Sequence, residues 1–202
     1  MIVLAESNFV LELALQQEER DEVERLVAMA EARRIGLVVP ACALFEPYET
    51  LIRRKKGSAI TLVQLCKELD QLARSKAFAH LVARSQPVTD ALKESADLES
   101  KGLEDTICRL LKCAIVPPLS AKIIANALSA QSQFKLAPQD AIVFASVDEL
   151  ARARVAEPKL FINKNERDFW KPDMEAHFEQ LNCKLLPRFA SGRQFAESRT
   201  RG

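Results

Sequence analysis

Ile2-Val3-Leu4-Ala5-Glu6-Ser7-Asn8-Phe9, directly after Met1, is the stretch that decides how the rest of the chain is read. A short aliphatic, β-branched run ended by polar residues has the composition of a central parallel strand, buried on both faces. A helical pattern follows it, so Glu6, Ser7 and Asn8 belong to the strand's carboxyl end. In open α/β sheets that edge is where ligands bind. The fold and the chemistry then depend on which other strands, and which other acids, return to this edge.

Four further apolar runs read as strands: Leu37-Val38-Val39 closed by Pro40, Ala114-Ile115-Val116 ended by Pro117-Pro118, Leu160-Phe161-Ile162, and Lys184 to Leu186. Between them the periodicity is helical. Val23, Leu26, Val27 and Ala30 mark an amphipathic helix from about Glu18 to Arg34, with Gly36 as its stop. Because proline disfavours helical geometry in the residue before it, the next helix is expected to start near Pro47, with Glu46 as its N-cap, and to end near Gly57. Ala59 to Arg84 and Val88 to Cys113 form two long helical patterns separated at Pro87, expected to fold as an antiparallel hairpin. Ser120 reads as the N-cap of Ala121 to Ser129, and Pro138 as the first residue of an all-apolar, buried helix through Val147. A helix over Asp173 to Asn182 completes the pattern. The expected organisation is one domain over 1–187 with a helical insertion at 58–113, then a basic flexible tail at 188–202.

The 202 residues are 48% hydrophobic with a formal net charge of +1. That share supports a full core and excludes a disordered chain. A near-zero charge excludes bulk attraction to polyanions, so any nucleic-acid contact must come from a local patch. Five cysteines, an odd number without CxxC spacing, and only two histidines argue against a zinc site or a disulfide framework. There is no basic, signal-like N-terminus and no uncharged run near the ~20 residues that span a bilayer. The expectation is a soluble, cytoplasmic protein with no membrane partner.

Three more acids occupy positions like that of Glu6. Glu46 follows the second strand, Asp140 lies in the first turn of the buried helix, and Asp168 lies just past the fourth strand. In a parallel sheet these element ends gather at one edge. Clustered carboxylates raise one another's pKa unless a hard cation neutralises them. Mg²⁺ or Mn²⁺ suits an oxygen-only donor set. The chemistry expected of such a site is metal-assisted phosphodiester hydrolysis.

Four pieces of the chain resemble the PIN-domain nucleases: Ile2 to Leu13, Val38 to Glu46, Leu136 to Ser146 and Leu160 to Phe169. They are similar to the family's opening strand with acid-Ser-Asn, its second strand and acid, its third-acid helix, and its late strand followed by Asn-x-x-acid-Phe. The resemblance implies a three-layer α/β/α fold with a central, mostly parallel sheet and an endoribonuclease acting on single-stranded RNA. It implies Glu6, Glu46, Asp140 and Asp168 as catalytic, Mg²⁺- or Mn²⁺-binding acids, with Ser7, Asn8 and Asn165 as polar supports for substrate. The family's first acid is normally Asp. Glu6 adds about one C–C bond of reach at a site whose metal geometry is exacting. A catalytically silent scaffold and a DNA or flap nuclease therefore stand as alternatives. The long helices at 59–113 exceed a compact toxin-type domain, which argues against a stand-alone toxin and leaves a toxin–antitoxin role as one alternative. Their apolar faces suggest a homodimer or an inhibitor protein as partner.

Simpler readings compete at several positions. Asp140 in a first helical turn is favourable against the helix dipole alone. Glu49 rivals Glu46, and Glu12 faces either the site or solvent. Arg53 and Arg54, in the run Arg53-Arg54-Lys55-Lys56, either contact substrate phosphates or complement a helix end. Trp170 reads as a packing anchor before a base-stacking platform.

Overall fold

Strand β1 (Ile2–Ala5) lies at the centre of a five-stranded sheet in this computed structural model, which describes residues 1–200. The chain leaves β1 through α1 (Ser7–Ala14) and α2 (Arg20–Glu31) and returns as β2 (Gly36–Val38). Helices α3 (Ala41–Ala73), α4 (Ala79–Ala83) and α5 (Gln86–Cys113) lead to the short edge strand β3 (Ala114–Ile115). Then α6 (Ala121–Phe134) and α7 (Pro138–Ala153) carry the chain back to β4 (Lys159–Ile162) on the other side of β1. Helices α8 (Glu166–Phe169) and α9 (Pro172–Gln180) precede β5 (Cys183–Leu186), and α10 (Phe189–Thr200) closes the described fold.

The strand order is β3-β2-β1-β4-β5, and every pairing is parallel. In register, Leu4 stands between Val38 and Phe161. Successive strand residues point to opposite faces, and the two cores follow that alternation. Val3, Ala5, Leu37, Leu160 and Ile162 pack with α1, α2, α5 and α10. Ile2, Leu4, Val38, Phe161, Cys183 and Leu185 pack with α6, α7 and α9. The architecture is therefore a three-layer α/β/α sandwich. Because β1 runs on to β2 and β4 runs on to β5, their connections leave in opposite directions. The gap between β1 and β4 is the topological switch point, where such sheets open a crevice at their carboxyl edge.

Several expectations need correction. Helix α3 does not begin at Pro47 with Glu46 as its cap: it starts at Ala41 behind Pro40, and Pro47 lies inside it, buried. Proline in that position leaves the carbonyl one turn back without its helical donor, a cost met here by burying the ring. The helix also runs past Gly57 without a break. Gly36 does not stop α2. Arg33 does, at φ 55°, while Gly36 opens β2. The region after Pro187 is not a flexible tail through Thr200. Phe189, Gly192 and Ala196 recur at i, i+3 and i+7, and all three are buried in α10. Phe189 meets Phe9 edge to face at 5.6 Å. Arg193 pairs with Glu22 and, at 2.9 Å, with Glu197. Arg201 and Gly202, the rest of the expected tail, lie outside the described residues.

Helices α3 and α5 run side by side, tied by Arg54–Glu99 at 2.8 Å and Lys55–Asp97 at 3.4 Å. The lower half of α5 belongs to the main core, since Leu103 and Leu110 are fully buried. A Cβ added to Gly102 would stand 2.6 Å from the Ala14 carbonyl oxygen, so α5 crosses α1 backbone to backbone. The far part of the pair is different: in α3 Leu62, Leu65, Cys66 and Leu69 are only half-buried and Ile60 and Val63 are exposed, as is Leu98 of α5. No helix among the described residues is long and apolar enough to cross a membrane.

Candidate functional site

At the carboxyl edge of β1 and β4 a cavity of about 300 Å³ is lined by Glu6, Ser7, Asn8, Glu46, Thr50, Asp140, Asn163 and Asn165, among others. The three carboxylates come from three different elements. Glu6 terminates β1 and is the N-cap of α1, its Oε2 accepting from the Asn8 backbone N–H at 3.0 Å. Glu46 lies in the second turn of α3, Asp140 in the first turn of α7, and Asn163 at the end of β4. The β1–α1 junction, the start of α3 after β2 and the α6–α7 junction thus place three carboxylates around one space.

Glu6 is the most constrained. Only 6% exposed, it also accepts from Ser7 Oγ at 3.2 Å, and its Oε1 is buried with no hydrogen-bond partner. A buried, half-satisfied carboxylate is costly to ionise. Burial pushes its pKa up to about 7, opposed by the Asn8 and Ser7 hydrogen bonds and aided by the charge of Glu46. Ser7 Oγ also reaches Glu46 Oε2 at 2.5 Å, so a single hydroxyl proton stands between two carboxylates.

Asp140 is raised above the usual carboxylate range, first by burial and then by the charges of Asp168 and Glu46, against the Asn165 hydrogen bond and the Lys171 charge. The helix dipole would favour ionisation at this position, yet burial outweighs it. Asn165 Nδ2 donates to Asp140 Oδ1 and to Asp168 Oδ2, both at 3.1 Å. Asp168 does not line the cavity and joins it only through Asn165. Asn163, 1% exposed, accepts the Asn165 backbone N–H at 2.7 Å and fixes that turn. Sequence reasoning passed over both Asn163 and Thr50. The available signals were the position of Asn163 at a strand's carboxyl end and the i, i+4 spacing of Thr50 from Glu46.

Other candidates go elsewhere. Glu12 is buried away from the cavity, paired with Lys164 at 2.6 Å. Glu49 accepts from Gln139 on the exposed side of α3. Arg54 is tied to Glu99, whereas Arg53 is exposed and donates to Thr50 at 3.3 Å. Trp170 is partly buried against the core, with Nε1 3.5 Å from the Asn163 carbonyl. A larger cavity, about 580 Å³, lies between α6 and α7. Its Asp148 is already engaged by His177 at 2.6 Å and Arg152 at 2.8 Å. Among the described residues no ion pair engages Glu6, Glu46 or Asp140 of the smaller cavity, unlike Asp148.

The cavity offers oxygen-only donors, repulsion between carboxylates and an unpartnered Glu6 Oε1, features that a hard divalent cation would complement. The set is not closed, however, since among the described residues no three Asp, Glu, His or Cys side chains are close enough together to hold a metal ion. No family model, no curated protein and no solved structure matches the chain.

Proposed function

We propose that this chain is a PIN-like, divalent-metal-dependent nuclease that hydrolyses RNA phosphodiesters. The observation that carries the reading is Glu6 Oε1, a buried and unpartnered carboxylate oxygen in a cavity shared with Glu46 and Asp140. The order of the acids along the chain supports it, as does their meeting at the switch point between β1 and β4.

Glu6, Glu46 and Asp140 would each offer a carboxylate oxygen to Mg²⁺ or Mn²⁺ on drawing together, since at their present spacing no three of them close on an ion, with Asp168 joining through the Asn165 turn. The ion would supply Lewis acidity, acidifying water and offsetting charge on the phosphate. The chain's own groups prepare the site. Ser7 orients Glu46, and Asn165 holds Asp140 and Asp168 against their repulsion. Arg53, exposed beside Thr50, is available to a phosphate oxygen. Glu6 must give up its proton to act as a ligand, so loading strengthens as pH rises through about 7.

A second reading, a nucleic-acid-binding scaffold without catalysis, draws on the open ligand set and on the use of Glu6 Oε2 as a helix cap. Calorimetric titration with Mn²⁺ separates the two. Saturable binding that is lost in Asp140→Asn supports the nuclease; no binding by the wild type favours the scaffold.

A further inference from the structure

Phe45, the residue before Glu46, is 68% exposed. Of the ten phenylalanines only Phe45 and Phe78 are exposed, and Phe78 lies far along the hairpin, just before α4. The Phe45 ring is not loose on the surface. Tyr48, one turn on, stacks against it with centroids 6.3 Å apart and planes 27° from parallel, and is itself packed on the core. One face of Phe45 is thus buttressed and its remaining surface meets solvent.

Helical spacing relates this ring to the acidic cavity. Glu46 and Thr50, at i and i+4, line the cavity, and Arg53, at i+7, continues their stripe of α3. Phe45, Glu49, Ile52 and Lys56, at i, i+4, i+7 and i+11, form the adjoining stripe. Gln139 donates to Glu49 at 3.4 Å, so that second stripe runs beside the N-terminus of α7, one residue from Asp140. The cations divide in the same way. Arg54 and Lys55 are neutralised by Glu99 and Asp97, leaving Arg53 and Lys56 without an ion pair among the described residues. A flat aromatic face followed on the same helix by unpaired cations about two and three turns on is a combination that holds a single strand, the ring taking a base and the cations the backbone.

We infer that Phe45, backed by Tyr48, is the platform on which a base next to the scissile phosphodiester stacks, making the ligand of this edge single-stranded nucleic acid. The inference rests on the nuclease reading for its account of the adjacent acids, but it concerns binding and is tested apart from cleavage. A duplex keeps its bases stacked inside the helix and cannot offer one to Phe45.

The test uses fluorescence anisotropy with labelled single strands of about 12 nucleotides, as RNA and as DNA, beside a duplex of equal length. Phe45→Ala should weaken single-strand binding about 5- to 100-fold and leave duplex binding unchanged. Phe45→Trp should restore it. Equal single-strand binding by Phe45→Ala and wild type overturns the platform, and so does an equal loss on duplex. Cleavage that persists with Phe45-independent binding removes the platform and spares the nuclease. Phe45-dependent binding without cleavage does the reverse. No binding of any oligonucleotide overturns both. If Phe45→Ala changes only self-association, the ring is a protein contact and the inference fails.

Discussion

Ser7 Oγ stands 2.5 Å from Glu46 Oε2, joining the end of β1 to the second turn of α3 across 39 residues of sequence. The same oxygen lies 3.2 Å from Glu6 Oε2, so one hydroxyl sets the relative position of two carboxylates. Ser7→Ala removes that constraint. Supports of this kind typically hold metal affinity and activity to within a factor of about 10 to 100, so Mn²⁺ affinity and cleavage should fall by about that much. Ser7→Thr keeps the hydroxyl and should stay near wild type. Equal behaviour of Ala and Thr variants would show that the contact does not organise the site.

Glu6 gives the fold a pH dependence without metal. Its folded pKa of about 7 exceeds the ordinary carboxylate value of 4.5, so between those values the native state binds a proton that the unfolded chain has lost. Stability is therefore greatest below the lower value and falls as pH rises through about 7. The full change is on the order of 3 kcal/mol. Urea unfolding in the presence of a chelator, from pH 5 to pH 8, should show this decline. Glu6→Gln should flatten it, and a decline of the same size in that variant would place the titrating group elsewhere.

Asn165 does in the metal-free protein part of what a cation would do, since its amide sits between Asp140 and Asp168. Asn165→Ala should destabilise by about 1–3 kcal/mol in chelator. Saturating Mn²⁺ should shrink that loss, because the ion then neutralises the two carboxylates. A loss of equal size with and without Mn²⁺ would show that Asn165 matters only to the turn it begins.

Gly102 tests the docking of α5 on α1. The added methyl group of Gly102→Ala meets the Ala14 carbonyl oxygen at 2.6 Å, a backbone atom that cannot rotate away. Overpacking of about 1–3 kcal/mol outweighs the helix-propensity gain of about 1 kcal/mol. The melting temperature should fall, whereas Gly57→Ala, with nothing near its Cβ, should raise it. A Gly102→Ala protein as stable as wild type would mean that the two helices part easily.

The strands and the convergence of Glu6, Glu46 and Asp140 were legible because buried parallel strands are continuous apolar runs and their polar ends are conspicuous. Order and register were not, since nothing in Ile2 to Ala5 states that β4 rather than β3 pairs beside it. Pro47 misled because the local rule for proline was outweighed by burial of its ring within α3. The segment after Pro187 looked frayed because Ser, Arg and Gly dominate it. Its helix depends on Phe189, Gly192 and Ala196 finding a surface formed by distant parts of the chain. Phe45 was overlooked for a related reason: exposure is a tertiary property, and one phenylalanine in an apolar stretch reads as core.

A metal-dependent nuclease site formed by the acids around Glu6 should cleave unstructured RNA. This is tested most directly by incubating unstructured RNA with wild type and Asp140→Asn, each with Mg²⁺, with Mn²⁺ and with chelator. Wild type should cleave with either metal and not with chelator, and an Asp140→Asn protein that remains folded should not cleave at all. Undiminished cleavage by Asp140→Asn, or none by wild type at high Mn²⁺, would contradict it.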